Sequence, residues 1–191
     1  MLSTEKKREW AFMLLVGMVG LFLLTKTVRF SLDEGPIRLT IIQNKGALNS
    51  IDTPRDVLSK KMFMLRELDF PQTRMLQNTQ YGKLGYTQNF FLDAEVDMQV
   101  KHGGEYRFTV RSDDGFRLLI DAKNICQHPG DRPMLSTECS VTLAAGDHRL
   151  SLSYFQGGGP MGLQVSYQMA GENTSRFVGV DSDNLVFKKS Q

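Results

Sequence analysis

The chain holds 191 residues, 41% of them hydrophobic and 23% charged, too apolar for a disordered polypeptide and long enough for one ordinary domain with an appendage. Two cysteines and three histidines exclude a disulfide-dense miniprotein, a four-cysteine zinc site and a histidine-rich metal centre. The net charge of +2 arises at the amino end: beyond residue 30 stand 18 basic and 19 acidic side chains, a neutral body with no basic stripe for nucleic acid.

Residues 1–9, with Lys6, Lys7 and Arg8, read as a cytoplasmic tail. Residues 10–28 open with WAFMLLVGMVGLFLL and read as one transmembrane helix, close to the ~20 residues needed to cross hydrocarbon once Lys26 snorkels. Trp10 belongs at the interface, Leu14 and Leu24 in the lipid. Gly17 and Gly20 would let another helix approach, although their spacing is not that of G-x-x-x-G. A cleaved secretory signal is the alternative, but no small-residue pair follows the apolar core. After a linker over 29–36, residues 37–191 are expected to form an exported domain. The implied location is a bacterial inner membrane, with the amino end cytoplasmic and the domain periplasmic.

Within that domain IRLTII, from Ile37 to Ile42, predicts a strand. Thr53, Pro54 and Asp56 supply an N-cap, a first-turn proline and an early acid, which predict a short helix to about Met64; MFMLRELDF is also compatible with a strand. From Asn89 the period is two. Leu92, Ala94, Val96, Met98 and Val100 alternate with polar residues, His102-Gly103-Gly104 reads as a hairpin turn, and Tyr106, Phe108 and Val110 repeat the pattern. Phe116, Leu118 and Ile120 follow on one face. VTLAAGDHRLSLSYF predicts a second hairpin around Gly146, and GLQVSYQM and LVFK supply the last strands. This is a mainly β chain, an antiparallel β-sandwich preceded by one transmembrane α-helix.

Cys126 and Cys139 have twelve residues between them. An oxidising compartment permits a bridge worth ~3 kcal/mol; two free buried thiols are the alternative.

Three stretches stand in order: GEYRFTVRSDDGFRLLIDAKNI, VTLAAGDHRLSLSYFQGGGPMGLQVSY and FVGVDSDNLVF. Together they resemble the PA-fourteen domain family, named for anthrax protective antigen, with its S-D-D-G-x-R-L-x-I-D hairpin, A-G-x-H-x-L strand and Gly-rich loop. The resemblance implies a β-sandwich. In sugar-binding members a cis-linked Asp-Asp pair holds calcium, whose open positions take vicinal hydroxyls. The matching residues are Asp113 and Asp114, with Gln156 as a further oxygen ligand and the carbonyls of Gly157, Gly158 and Gly159 as possible additions. Calcium requires six to eight oxygens, which adjacent carboxylates begin to supply.

The plainer alternative is turn chemistry, with aspartates capping their own backbone and Gly115 taking a positive φ. Phe116 and Tyr154 read as core, His148 as a structural hydrogen-bonding group and His128 as a loop residue. Asp181, Asp183 and Asn184 read as a turn into the last strand, and Asn173-Thr174-Ser175 as an idle glycosylation sequon. No nucleophile-base-acid order is present, so an enzyme is not expected. The preferred expectation is an accessory subunit of a membrane protein complex. The alternative is a tethered, calcium-dependent glycan-binding module.

Overall fold

Alternation of apolar and polar side chains becomes strand after strand in the computed structural model, which describes residues 35–189. The expected anchor, with Trp10, Leu14, Gly17, Gly20 and Leu24, lies outside the described residues. No helix among those described is long and apolar enough to cross a membrane. The strands are β1 (Ile37–Asn44), β2 (Val57–Leu65), β3 (Asp69–Thr73), β4 (Gln77–Asn78), β5 (Gly82–Lys83), β6 (Phe90–Val100) and β7 (Gly104–Asp113). They continue as β8 (Phe116–Ile120), β9 (Lys123–His128), β10 (Leu135–Leu143), β11 (Gly146–Gln156), β12 (Met161–Met169), β13 (Arg176–Phe177) and β14 (Leu185–Lys188).

Two antiparallel sheets carry the core. One runs β2-β1-β6-β11-β8-β9, with β14 also on β6; the other runs β10-β7-β12-β13, with β3 also on β12. β1 and β14 share one edge of β6 end to end, since Arg38 pairs with Glu95 and Lys188 with Asp97. The chain therefore enters β1 some way along the sheet from the end where Phe90 pairs with Gln43 and Gln156. Between the sheets the inward positions of β6 and β7 are closed to solvent, with Leu92, Met98, Tyr106, Phe108 and Val110 at 0% exposure. Burying each such side chain stabilises by roughly 1.5–3 kcal/mol.

Several expectations are corrected. Residues 57–65 form β2 and no helix: Leu65, Phe63 and Lys61 pair with Ile37, Leu39 and Ile41, so sheet pairing outweighs the local capping signal of Thr53 and Pro54. His102-Gly103-Gly104 does not close a hairpin, because β6 and β7 lie in different sheets; nor does the turn at Gly146, which separates β10 from β11. The S-D-D-G segment likewise carries the chain from β7 in one sheet to β8 in the other. These short connections are arches. Both edges of β6 are already taken by β1 with β14 and by β11, so its sequence neighbour cannot pair with it.

A two-residue hairpin joins β8 and β9 through Asp121 and Ala122, both at positive φ (50° and 63°), as a type I′ turn demands. No glycine announces it. Asp121 is instead held by its carboxylate, which accepts from the Arg149 N–H at 2.9 Å and contacts His148 Nδ1 at 2.6 Å. His148 is thus the structural group expected, and Nε2 lies 2.9 Å from the Ala144 carbonyl. His128 is the last residue of β9, opposite Phe116, and no loop residue.

Burial opposes protonation of His148, but Asp121 and the Ala144 carbonyl outweigh it and raise the pKa; Asp121 is lowered by the Arg149 N–H and by His148. A histidine with a raised folded pKa stabilises below its unfolded value and loses that contribution as pH rises through the folded one. Denaturant melts from pH ~6 to ~8 should lose less than about 1 kcal/mol in the wild type, and none of that slope in His148→Gln. Parallel slopes would refute the assignment.

Cys126 of β9 and Cys139 of β10 form a disulfide with Cα atoms 5.8 Å apart, tying one sheet to the other.

Candidate functional site

The corner between β7 and β8 is where the sequence motif becomes a site. The Asp113–Asp114 peptide is cis, and each aspartate is only 6% exposed. Gly115 allows the corner to close for steric reasons and does not adopt the expected positive φ: a Cβ there would stand 2.4 Å from the His128 carbonyl and 2.6 Å from the Phe155 ring. Beneath the pair, the buried Ser112 hydroxyl donates to the Asp114 carbonyl at 2.7 Å.

Three other segments converge on these carboxylates. Gln72, from the end of β3, donates to Asp113 Oδ2 at 3.0 Å. The Gly157 N–H donates to Asp114 Oδ2 at 2.9 Å. The segment between β9 and β10 supplies the Met134 N–H to Asp113 and the Arg132 N–H to Asp114. Burial raises the pKa of both aspartates; the bonds from Gln72 and Gly157 resist the shift, and the charge of Asp131 adds to it at Asp114.

Arg132 is the cation acting on Asp113. Its guanidinium donates to Thr137 Oγ1 at 2.8 Å and Ser112 Oγ at 2.7 Å and lies 5.0 Å from the centre of the Phe116 ring. Its buried Nε has no partner among the described residues. Phe116 is core, as expected, and also the platform for this side chain.

Gln156 is wholly buried. Its amide N–H groups go to the Gly158 and Pro160 carbonyls at 2.9 and 3.0 Å, which leaves Oε1 facing the Tyr154 hydroxyl at 2.5 Å. That hydroxyl is also 2.5 Å from the Asp113 carbonyl. Burial, with Asp114 and Asp113 nearby, pushes Tyr154 well above the ordinary tyrosine range, so it stays protonated. Tyr154 is therefore more than packing. Of the Gly-rich loop, Gly157 accepts from the Asn89 N–H at 3.2 Å and Gly158 from Gln156, while Gly159 sits at φ 85°. Gly157 has no room for a side chain, since a Cβ would meet the Leu48 carbonyl at 2.4 Å.

The predicted Asp113, Asp114, Gln156 and Gly157 thus come together around one corner. Sequence reasoning missed Gln72, Asp131, Arg132 and Tyr154. The signal available for Arg132 and Asp131 was a charged pair inside the segment closed by the two cysteines. Asp181 and Asn184 serve the lead into β14, as expected: Asp181 accepts from the Phe187 N–H, and Asn184 bridges His102 and Glu172.

The donors suit a hard cation. Asp113 and Asp114 are almost closed to solvent; the Arg132 guanidinium acts on Asp113, while the exposed Asp131 adds a further negative charge that acts on Asp114. No three His, Cys, Asp or Glu side chains among the described residues gather closely enough to hold a metal alone. A calcium ion here would need amide, backbone or ligand oxygens to complete its shell.

The PA14 domain family matches residues 76–178. No curated protein matches the sequence. Among solved structures, the PA14 domain of the antifreeze protein MpAFP superimposes with TM-score 0.61 at 14% identity, over 74% of this chain and 86% of that one. A PA14 sugar-binding domain from an RTX adhesin gives TM-score 0.59 at 15% identity, over 75% and 94%. The A domain of epithelial adhesin 6 from Candida glabrata, solved in complex with Galβ1-3GlcNAc, gives 0.54 at 13% identity, over 74% and 83%.

Proposed function

Because the chain belongs to the PA14 domain family, we propose that its β-sandwich is a non-catalytic module that binds calcium at Asp113 and Asp114 and, through the ion, a glycan. One observation carries the reading: two adjacent carboxylates are almost closed to solvent without a matching number of cations. Such charge is costly to keep buried unless a partner neutralises it. Calcium would be held by these two side chains, with the Gln156 oxygen and a Gly-rich loop carbonyl as further donors. The ion's chemistry is to accept hydroxyl oxygens into its open positions. This chain's residues orient the carboxylates: Gln72, Met134, Arg132 and Gly157 fix them by hydrogen bonds. The solved relatives described as sugar-binding or bearing a bound disaccharide support the glycan class.

Calorimetry of the domain with calcium chloride, and glycan-array retention with and without chelator, test this proposal. Heat on calcium addition and chelator-sensitive retention are expected. No heat with the wild type would end it. Binding requires ionised carboxylates, so affinity should fall as pH drops through their raised range.

The second reading keeps the expected membrane tether over 10–28 and adds lateral protein partners in a bacterial inner membrane. Its support is the edge strand β2, where Val57, Leu58 and Met62 are 47%, 63% and 63% exposed. Such a role would survive chelator, and partners would co-purify in mild detergent.

A further inference from the structure

Tyr154 sits where the two halves of the proposed calcium site meet. Its hydroxyl oxygen accepts from the backbone N–H groups of Gly162 and Asp114, and it has a single proton to offer two oxygens at 2.5 Å, the Asp113 carbonyl and Gln156 Oε1. One of those oxygens is always left without the proton. Gln156 cannot turn to relieve this, because both its amide hydrogens are committed to Gly158 and Pro160. The same loop is held from the other side by the Gly157 N–H on Asp114 Oδ2. A closed circuit follows, from the carboxylate pair through Tyr154 and Gln156 into the Gly-rich loop and back to Asp114. Tyr154 itself is fully buried, its ring centre 6.2 Å from that of Phe90.

We infer that Tyr154 is a positioning residue whose hydroxyl couples the Asp113–Asp114 pair to the Gln156–Pro160 loop, so that calcium taken by the pair fixes the loop presented to the ligand. This rests on the calcium reading above. The hydroxyl holds the Asp113 carbonyl and Gln156 Oε1 against one common donor, and residues behind a metal's direct ligands usually set affinity by 10–100-fold.

The test compares wild type and Tyr154→Phe, which keeps the ring and removes only the hydroxyl. Calorimetry with calcium chloride should give an affinity about 10–100-fold weaker in the variant. Thermal melts in chelator should show that Tyr154→Phe still unfolds in one cooperative step, and calcium should raise its midpoint less than it raises that of the wild type. In the wild type, calcium should slow amide hydrogen exchange at Gly157, Gly158 and Gly159. Equal calcium affinity in a folded variant would overturn the coupling and leave the calcium site standing. If Tyr154→Phe fails to fold, the wild-type exchange decides: unchanged protection across the loop with calcium bound refutes the coupling. A wild type that binds no calcium removes the site and this inference together.

Discussion

In Asp114→Asn, calcium affinity should fall at least ~100-fold, about 2.7 kcal/mol, while the metal-free domain stays folded. The substitution keeps the shape and an oxygen for the Gly157 N–H, and deletes a charge. Of the two adjacent buried carboxylates only one remains, so a divalent cation loses both a ligand and one of the buried charges that attract it. The sign for stability is opposite. Burial raises the folded pKa of Asp114 above its unfolded value, so the folded state holds that proton more tightly and the metal-free wild type loses stability as pH rises through the raised range. Asparagine lacks that loss. At neutral pH in chelator the variant should melt at or above the wild-type temperature, and in calcium well below it. Calorimetry and paired melts check both halves. A variant that binds calcium like the wild type would place the ion elsewhere.

The second large effect concerns the bridge between sheets. Cys126→Ala with Cys139→Ala should lower unfolding free energy by ~3 kcal/mol, the loop-closure value for a separation of this size, and the melting midpoint by roughly 6–12 °C. The cysteines close the segment whose Arg132 and Met134 N–H groups meet the aspartates and whose Arg132 side chain reaches Ser112 and Thr137. Opening it should weaken calcium binding as well as stability, and reductant should do the same to the wild type. Urea melts of oxidised, reduced and doubly substituted protein decide the matter. Coincident curves would show that core burial alone sets the stability of this sandwich.

Which parts of the fold were legible in the sequence follows from where each side chain faces. β6, β7, β8, β11 and β12 each bury one face against the opposite sheet, and that one-sided burial is what a period of two records. β2 has no such record: residues 57–62 are exposed on both faces of an edge, and the capping pattern at Thr53 suggested a helix. The hairpin turns were misjudged for another reason. Glycine-bearing turns encode a change of direction, and whether the next strand docks beside its predecessor or on the facing sheet depends on which edges are already occupied. Asp121 and Ala122 make the reverse case, a true hairpin whose turn relies on His148 and Arg149 from β11.

The same division holds for the candidate site. The amino-acid order by itself determined the Asp113–Asp114 pair, the Gly-rich loop after Gln156 and the one-faced strands that carry them, because these depend on neighbours along the chain. Only the tertiary structure decided that Gln72, 41 positions before Asp113, supplies a hydrogen bond, that Arg132 supplies the counter-charge, and that the Tyr154 hydroxyl stands between the two halves. Hydrogen bonding and Coulomb attraction act through space at about 3–5 Å, and no spacing in the sequence marks which distant residues folding will bring that close.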